Sequence, residues 1–412
     1  MTNFYLTFAV ALVSILWVEL VRDCYHALSH VVPSLYRLHV WHHKVFRRDL
    51  TPVSEEIYRQ AHWYHDVPEA LVMLSLSFVP VGISYINQLP VPWLASAGSI
   101  YTTVFLLGAI ARGLGVPGVD ELTDITHRPG EFKAIPSSLF VNRPYHWRHH
   151  FDNQDAYFCG MFTLVDKFLG TALSLRGKKV AVTGASGRLG KALLKELALA
   201  GARVTAFTSS NREIILDING EFVPIKTVTW SINQEEALVK ELEKIDILIL
   251  NHGINVHQKR SESAIAKSYE INAFSSLRLM DLFFKTVRTN RDIVTKEVWV
   301  NTSEAEVNPA FSPLYELSKR TLGDLVTLKR LDAPCIVRKL ILGPFKSNLN
   351  PIGVMSADWV AKQIVTGAKR DFRNIIVTIN PLTFFAFPIK EFCQFIYFKF
   401  FSNNHQNIKF ED

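Results

Sequence analysis

Between Ser174 and Lys178 the chain changes texture, and that change constrains its fold more than any other feature. On the C-terminal side short β-branched runs alternate with helical patterns. The expected strands are Val180–Thr183, Val204–Thr208, Thr227–Trp230, Ile245–Asn251, Val298–Thr302, Cys335–Ile341 and Ile375–Ile379. Strands alternating with helices predict a doubly wound α/β fold on a parallel sheet. On the N-terminal side Phe4–Leu20, Ala70–Ile86 and Val91–Ala111 are apolar stretches near the ~20 residues a bilayer span requires. The breaker Asn87-Gln88-Leu89-Pro90 makes the last two a hairpin. The expected organisation is an α-helical membrane domain with about three spans over residues 1–174, the α/β domain over 178–370, and an aromatic tail over 371–412. The tail reads as an interfacial helix lying on the membrane, with a dimer or interdomain contact as the alternative, because Phe residues crowd Pro381–Phe401 with Lys390, Glu391 and Lys399 between them.

Charge and histidine are distributed unevenly. Eleven of the 14 histidines precede residue 151, and the net charge of +7 arises after residue 175, where 33 Lys and Arg face 24 Asp and Glu. Those cations are dispersed rather than massed in a stripe, which argues against a nucleic-acid partner. Four cysteines without a CxxC pair argue against a disulfide framework or zinc ribbon. One crossing followed by the hairpin leaves Arg22, Arg37, Lys44, Arg47, Arg48 and Arg59 on one side, and the hairpin tip has no basic residue. The positive-inside rule makes that side, which carries all eleven histidines, cytoplasmic.

The histidines form boxes: His26-Ala-Leu-Ser-His30, His39-Val-Trp-His42-His43 and His146-Trp-Arg-His149-His150. On a helix, residues at i and i+3 or i+4 share a face, so each box aims imidazoles in one direction. Imidazole suits iron, zinc, copper or nickel. Eight boxed histidines exceed the need of one ion, so two metals are expected, with Asp23 and Asp152 as candidate outer carboxylates. The box order around a hydrophobic hairpin resembles the fatty acid hydroxylase/sterol desaturase superfamily over roughly residues 5–172. His65-Asp-Val-Pro-Glu69, His127-Arg-Pro-Gly-Glu-Phe132 and Asp166-Lys-Phe-Leu-Gly-Thr171 carry the rest of the likeness. The resemblance implies a dimetal centre, two irons with zinc as the alternative, held by His26, His30, His39, His42, His43, His65, His127, His146, His149 and His150. Whether His62 or His65 matches the family position stays open, because the match needs an insertion. It further implies a lipid-like substrate and an electron donor for the metals, and leaves hydroxylation and desaturation both open.

Thr183-Gly-Ala-Ser-Gly-Arg-Leu-Gly190 follows an expected strand and opens a helix, the context of a dinucleotide-binding loop in a Rossmann-like fold. The next strand ends Ala206-Phe207-Thr208-Ser209 with no acid for a ribose hydroxyl, while Arg188 and Arg212 can meet a 2′-phosphate, favouring NADP(H). Tyr315 and Lys319 stand at i and i+4, twelve residues and more after Ser303. An ammonium beside the phenol eases its proton exchange with a carbonyl oxygen. This stretch resembles the short-chain dehydrogenase/reductase family over about residues 178–370. The resemblance implies catalytic Asn272, Ser303, Tyr315 and Lys319, and a cofactor held by Thr183, Gly184, Ser186, Gly187, Arg188, Leu189, Gly190, Arg212, Asn251 and Gly253.

The whole arrangement is similar to bifunctional sterol desaturase/short-chain dehydrogenases. The expectation is a multi-pass membrane oxidoreductase that oxygenates a lipid-like substrate and transfers hydride with NADP(H). The alternative is a membrane-anchored reductase whose histidine region only tethers it.

Overall fold

The computed structural model describes residues 2–89 and 91–403, in two compact units meeting at Ala172 and Leu173. Pro90 of the expected breaker and the end of the tail, 404–412, lie outside the described residues.

The N-terminal unit is helical: α1 (Thr2–Ser29), α2 (Pro33–Lys44), α3 (Glu55–Ala61), α4 (Val67–Ile86), α5 (Ala97–Gly113), α6 (Val119–Thr123), α7 (Arg143–Phe151) and α8 (Leu164–Leu169). A π-turn, His62–Asp66, joins α3 to α4 without a break. Small residues let α1, α4 and α5 approach closely. A Cβ on Gly98 would stand 2.5 Å from the Ser14 carbonyl oxygen, and Ser77 donates to Ser99 at 2.8 Å. Among the described residues two helices are long and apolar enough to cross a bilayer, Glu55–Ile86 and Pro92–Gly113, with mean hydropathies of 1.7 and 1.6. Sequence reasoning expected three such spans. From Phe8 onward α1 carries Glu19, Arg22 and Asp23, and its charged end belongs to the histidine region rather than to a span.

The C-terminal unit is an eight-stranded sheet in the order β3-β4-β2-β1-β5-β6-β7-β8. Its strands are β1 (Lys179–Thr183), β2 (Arg203–Thr208), β3 (Ile214–Ile218), β4 (Glu221–Thr229), β5 (Ile247–Leu250), β6 (Glu297–Asn301), β7 (Ile336–Leu342) and β8 (Asn374–Val377). The helices are α9 (Arg188–Leu199), α10 (Val239–Leu242), α11 (Glu262–Tyr269), α12 (Ser275–Phe284), α13 (Asn290–Thr295), α14 (Pro313–Lys329), α15 (Ala357–Lys369) and α16 (Thr383–Phe401). All strand pairs are parallel except β3–β4. That hairpin turns at Asn219 and Gly220, both with positive φ (55° and 88°), the backbone that a two-residue Asn-Gly turn demands. The seven strands expected from sequence are present, and the unforeseen one is β3.

Two hydrophobic clusters sandwich the sheet, one around Val182, Leu193 and Ile364, the other around Leu248, Phe283 and Val326. β1, β5 and β6 run parallel in register, so Thr183, Leu250 and Asn301 end at one edge. In open α/β sheets ligands bind outside that carboxyl edge. The expected domain limit at residue 370 falls before β8, which pairs with β7 and extends the sheet.

Candidate functional site

Eight histidines of the N-terminal unit converge as two quartets. His26, His30, His39 and His149 form one, His42, His127, His146 and His150 the other, and within each the ligand atoms lie within 4.8 Å of one another. Helical spacing explains the sorting. On α2, His39 and His42 face different quartets, and on α7, His146 and His150 share a face while His149 turns to the other group. Pro33 starts α2 and the Asn142 side chain caps α7 by accepting from Tyr145 N–H, so both short helices begin at set points.

The spacing of the ring nitrogens fits metal ligation. In the second quartet the Nε2 atoms of His127, His146 and His150 form a triangle with edges of 2.9, 3.1 and 3.1 Å. Ligands at right angles on bonds of 2.0–2.1 Å stand about 2.9 Å apart, so the triangle matches one octahedral face. In the first, His26 and His149 Nε2 are 2.9 Å apart. Three mutually adjacent neutral imidazoles cannot all satisfy one another, and buried His39 Nδ1, His42 Nε2, His146 Nδ1 and His150 Nδ1 have no hydrogen-bond partner. Burial, reinforced by neighbouring rings, holds His42, His146 and His150 far below the ordinary imidazole range, and burial brings His149 down to about 3. The rings are therefore neutral and ready to ligate.

Outer contacts orient the rings. His149 Nδ1 is 2.8 Å from the Ala156 carbonyl, and His127 Nδ1 is 2.7 Å from Asp124 Oδ1. The Ala156 loop is fastened by Asp166, which accepts from Phe158 N–H, Cys159 N–H, the Tyr145 hydroxyl and the Thr171 hydroxyl. Asp23 and Asp152, the carboxylates expected in this role, accept from Gly160 N–H and the Tyr157 hydroxyl. The ring-bound carboxylates are Asp124 and Asp66, which lies 2.6 Å from His62 Nδ1 and also takes Arg112. Their signal was local: Asp124 precedes His127 by three residues and Asp66 follows His62 by four. His43 and His65 lie beside the quartets rather than in them. His43 Nε2 is 2.9 Å from His39 Nε2, and the His65 ring centre is 4.8 Å from those of both His39 and His42.

In the C-terminal unit the residues singled out by sequence meet at the carboxyl edge of the sheet. Gly184 has φ +62°, and a Cβ there would sit 2.9 Å from His252 Cα. A Cβ on Gly190 would strike the Gly184 carbonyl oxygen at 2.3 Å, so only glycine lets α9 start against the loop. Gly187 caps α9, leaving the helix N-terminus as a phosphate cradle, with Arg188 as its first residue. Thr183 Oγ1 accepts from Asn251 N–H at 2.8 Å and lies 2.8 Å from His252 Nδ1, tying the loop to the end of β5. Ser186 accepts from Thr208, Leu189 packs into the core, and Arg212 lies exposed in the loop after β2.

Asn272 occupies a second π-turn, Glu270–Phe274, where its amide clamps Ile254: Oδ1 accepts from Ile254 N–H at 2.7 Å, and Nδ2 donates to Ile254 O at 2.9 Å. A Cβ on Gly253 would stand 3.1 Å from Asn272 Oδ1 and 3.9 Å from Lys319 Nζ, so these groups surround one small space. Lys319 donates to Asn301 O at 2.8 Å, and burial lowers its ammonium to about 8. Burial raises the Tyr315 phenol, and a hydrogen bond with Ser303 opposes the rise. Serine, tyrosine and lysine so arranged can pass a proton to or from an alcohol oxygen.

Comparison with known proteins bears on both units. A short chain dehydrogenase family model matches residues 178–333. A fatty acyl-CoA reductase of Mycobacterium tuberculosis is 30% identical over 170 residues, covering 37% of this chain and 56% of its own. A short chain dehydrogenase from Burkholderia cenocepacia, solved with NADP, superposes with a TM-score of 0.44 at 16% identity, over 56% of this chain and all of its own. A monoglucosyldiacylglycerol epimerase of Synechocystis is 63% identical over 397 residues, 95% of this chain and 97% of that protein. The chain thus belongs to the same family as the Synechocystis epimerase, and its C-terminal unit is a short-chain dehydrogenase domain.

Proposed function

We propose that this chain is a membrane-bound, NADP(H)-dependent epimerase that inverts one hydroxyl-bearing carbon in the sugar headgroup of a glucosyl diacylglycerol. The observation that carries the reading is the Ser303–Tyr315–Lys319 set beside a glycine-built phosphate cradle, in a chain 63% identical to a glycolipid epimerase. Inverting a secondary alcohol requires its C–H bond to break on one face and re-form on the other. NADP(H), when bound in its oxidised form, would supply the acceptor for that hydride and its donor on the return. Tyr315, starting as the phenolate, accepts the hydroxyl proton as the alcohol becomes a ketone and, now the phenol, gives it back after the sugar has turned over. Ser303 donates to the reacting oxygen, Lys319 holds positive charge beside the phenol, and Asn272 fixes Ile254 in the loop after β5 that walls the site. The Thr183–Gly190 loop and the N-terminus of α9 take the pyrophosphate. Oxidation level and atom count are unchanged, so this site supplies the whole inversion.

The apolar faces of Glu55–Ile86 and Pro92–Gly113 support the membrane reading, since only 28% and 22% of their most apolar windows are buried. A core helix of a soluble protein would bury those faces. By the positive-inside rule, the basic residues flanking them support a cytoplasmic side for the histidines and the C-terminal domain.

A second reading rests on the two histidine quartets, which favour oxidation of a lipid-like substrate in the N-terminal unit. Iron, when bound, would supply oxygen-dependent C–H oxidation with an external electron donor, whereas zinc would supply only Lewis acidity. His26, His30, His39 and His149 would hold one ion and His42, His127, His146 and His150 the other, with His43 and His65 alongside.

The test supplies purified protein in lipid with a glucosyl diacylglycerol. The epimerase reading expects inverted headgroup when NADP(H) is present and none with Tyr315→Phe. Inversion that persists in that variant overturns it, and a hydroxylated or desaturated lipid in place of the inverted one establishes the second reading.

A further inference from the structure

We infer that α16 and the adjoining rim of the catalytic cleft form a bilayer-docking surface that brings Tyr315 to a lipid headgroup without extracting the lipid. The polarity of α16 is inverted relative to an ordinary surface helix. Its inward side carries Thr383, Phe387 and Glu391, and the Glu391 carboxylate accepts from Lys339 at 2.7 Å, Arg330 at 2.9 Å and Thr327 at 3.0 Å. Its outward side carries Phe385, Ile389, Phe392, Ile396 and Phe400, spaced 4, 3, 4 and 4 residues apart. Phe385, Ile389, Phe392 and Phe400 are each at least 65% exposed. The charged clamp holds the helix in place, so the aromatic face is presented, not splayed.

The start of α16 is joined to the loop that follows Ser303. Thr383, the first residue of α16, donates to Glu304 next to Ser303 and accepts from Asn308 at 2.8 Å. The same loop carries Phe311, fully exposed with φ +54°, four residues before Tyr315. A fully solvent-facing phenylalanine ring is relieved by apolar surroundings.

The occupant is a lipid surface. The C-terminal unit has an excess of cations, 33 Lys and Arg against 24 Asp and Glu over residues 173–412, dispersed over the unit. On α16 itself exposed Lys399 stands among the aromatic anchors, the pairing that suits an anionic lipid surface. The same chain carries the apolar helices Glu55–Ile86 and Pro92–Gly113, which keep a bilayer within reach.

The consequence for turnover rests on the glycolipid reading, whereas the docking itself does not. Cys393 is an exposed thiol on α16 and provides a native probe position. Full-length protein bearing Cys24→Ala is spin-labelled at Cys393 and placed in nanodiscs of phosphatidylglycerol and phosphatidylcholine. Docking predicts relaxation by oxygen in preference to a water-soluble nickel chelate. The preference is lost in Phe385→Ser/Phe392→Ser and kept in Phe385→Trp/Phe392→Trp. A label relaxed mainly by nickel overturns the proposal, as does spin–spin broadening that marks a second copy on this face. If the glycolipid reading holds as well, the serine variant loses about tenfold or more in turnover on bilayer substrate relative to a short-chain glucoside. Failure of that ratio alone, with oxygen-preferring label, indicts the substrate reading and leaves the docking surface standing.

Discussion

Replacing Lys319 with methionine should stabilise the C-terminal unit while abolishing turnover. Lys319 is only 3% exposed, and burial lowers its ammonium from 10.5 to about 8. At about 1.36 kcal/mol per pH unit, that difference makes the charged side chain cost the fold about 3 kcal/mol at pH 7. Methionine keeps the length, removes the charge and forfeits the hydrogen bond to Asn301 O, a loss of about 1–1.5 kcal/mol. The expected net gain is about 2 kcal/mol, bought with catalysis. The pH dependence follows from the sign. Between about 8 and 10.5 the unfolded chain binds more protons than the folded one, so the wild-type protein gains stability as pH rises. The advantage of Lys319→Met is therefore full below pH 8 and gone by about pH 10.5. Denaturant unfolding of the full chain in detergent, followed at pH 7 and pH 10, reads both terms. Equal or lower stability of the variant at pH 7, or an advantage that does not shrink with pH, would refute the reasoning.

Gly190→Ala places a methyl 2.3 Å from the Gly184 carbonyl oxygen and 2.7 Å from Ala185 Cα, both backbone, so the loop must shift. NADP(H) affinity, measured by calorimetry, should fall at least tenfold, and unaltered affinity would deny the loop its role. Asp124→Asn removes the carboxylate from His127 but leaves the carbonyl on His149. If each quartet holds an ion, elemental analysis should then find about one ion per chain against two in wild type, with affinity at the affected quartet down about 10–100-fold. Equal loss from both quartets would contradict the assignment. On the same two-ion reading, a chelator should lower the unfolding temperature of the N-terminal unit, because eight neutral rings would lose their common partner. Thermal scans with and without chelator that superpose would argue against bound metal.

The sheet was readable because its strands are short apolar runs spaced by helical patterns, and the loop Thr183–Gly190 announced the glycine-built turn between β1 and α9 at the carboxyl edge. β3 was missed although Asn219-Gly220 is a strong hairpin signal, because Ile214–Ile218 alternates buried and exposed residues on a sheet edge. The eight quartet histidines were all singled out, seven by box spacing and His127 through a family likeness, but their division into two groups was not. Helical spacing says which rings share a face, whereas the meeting of α1, α2 and α7 is tertiary. Asp23 and Asp152 drew attention by adjacency along the chain. The rings instead found Asp124 and Asp66, three and four residues from their histidines. The polar clamp beneath α16 could not be read either, since Lys339 and Arg330 are distant in sequence from Glu391.

The central claim is that one hydride leaves and returns to the same carbon. Full-length protein with NADP(H) should be given a glucosyl diacylglycerol deuterated at the inverting carbon, in ordinary water under ¹⁸O₂, and the product read by mass spectrometry and NMR. The account predicts an inverted headgroup that keeps its deuterium and carries no ¹⁸O. Deuterium washed out to solvent, or ¹⁸O in the product, would contradict it.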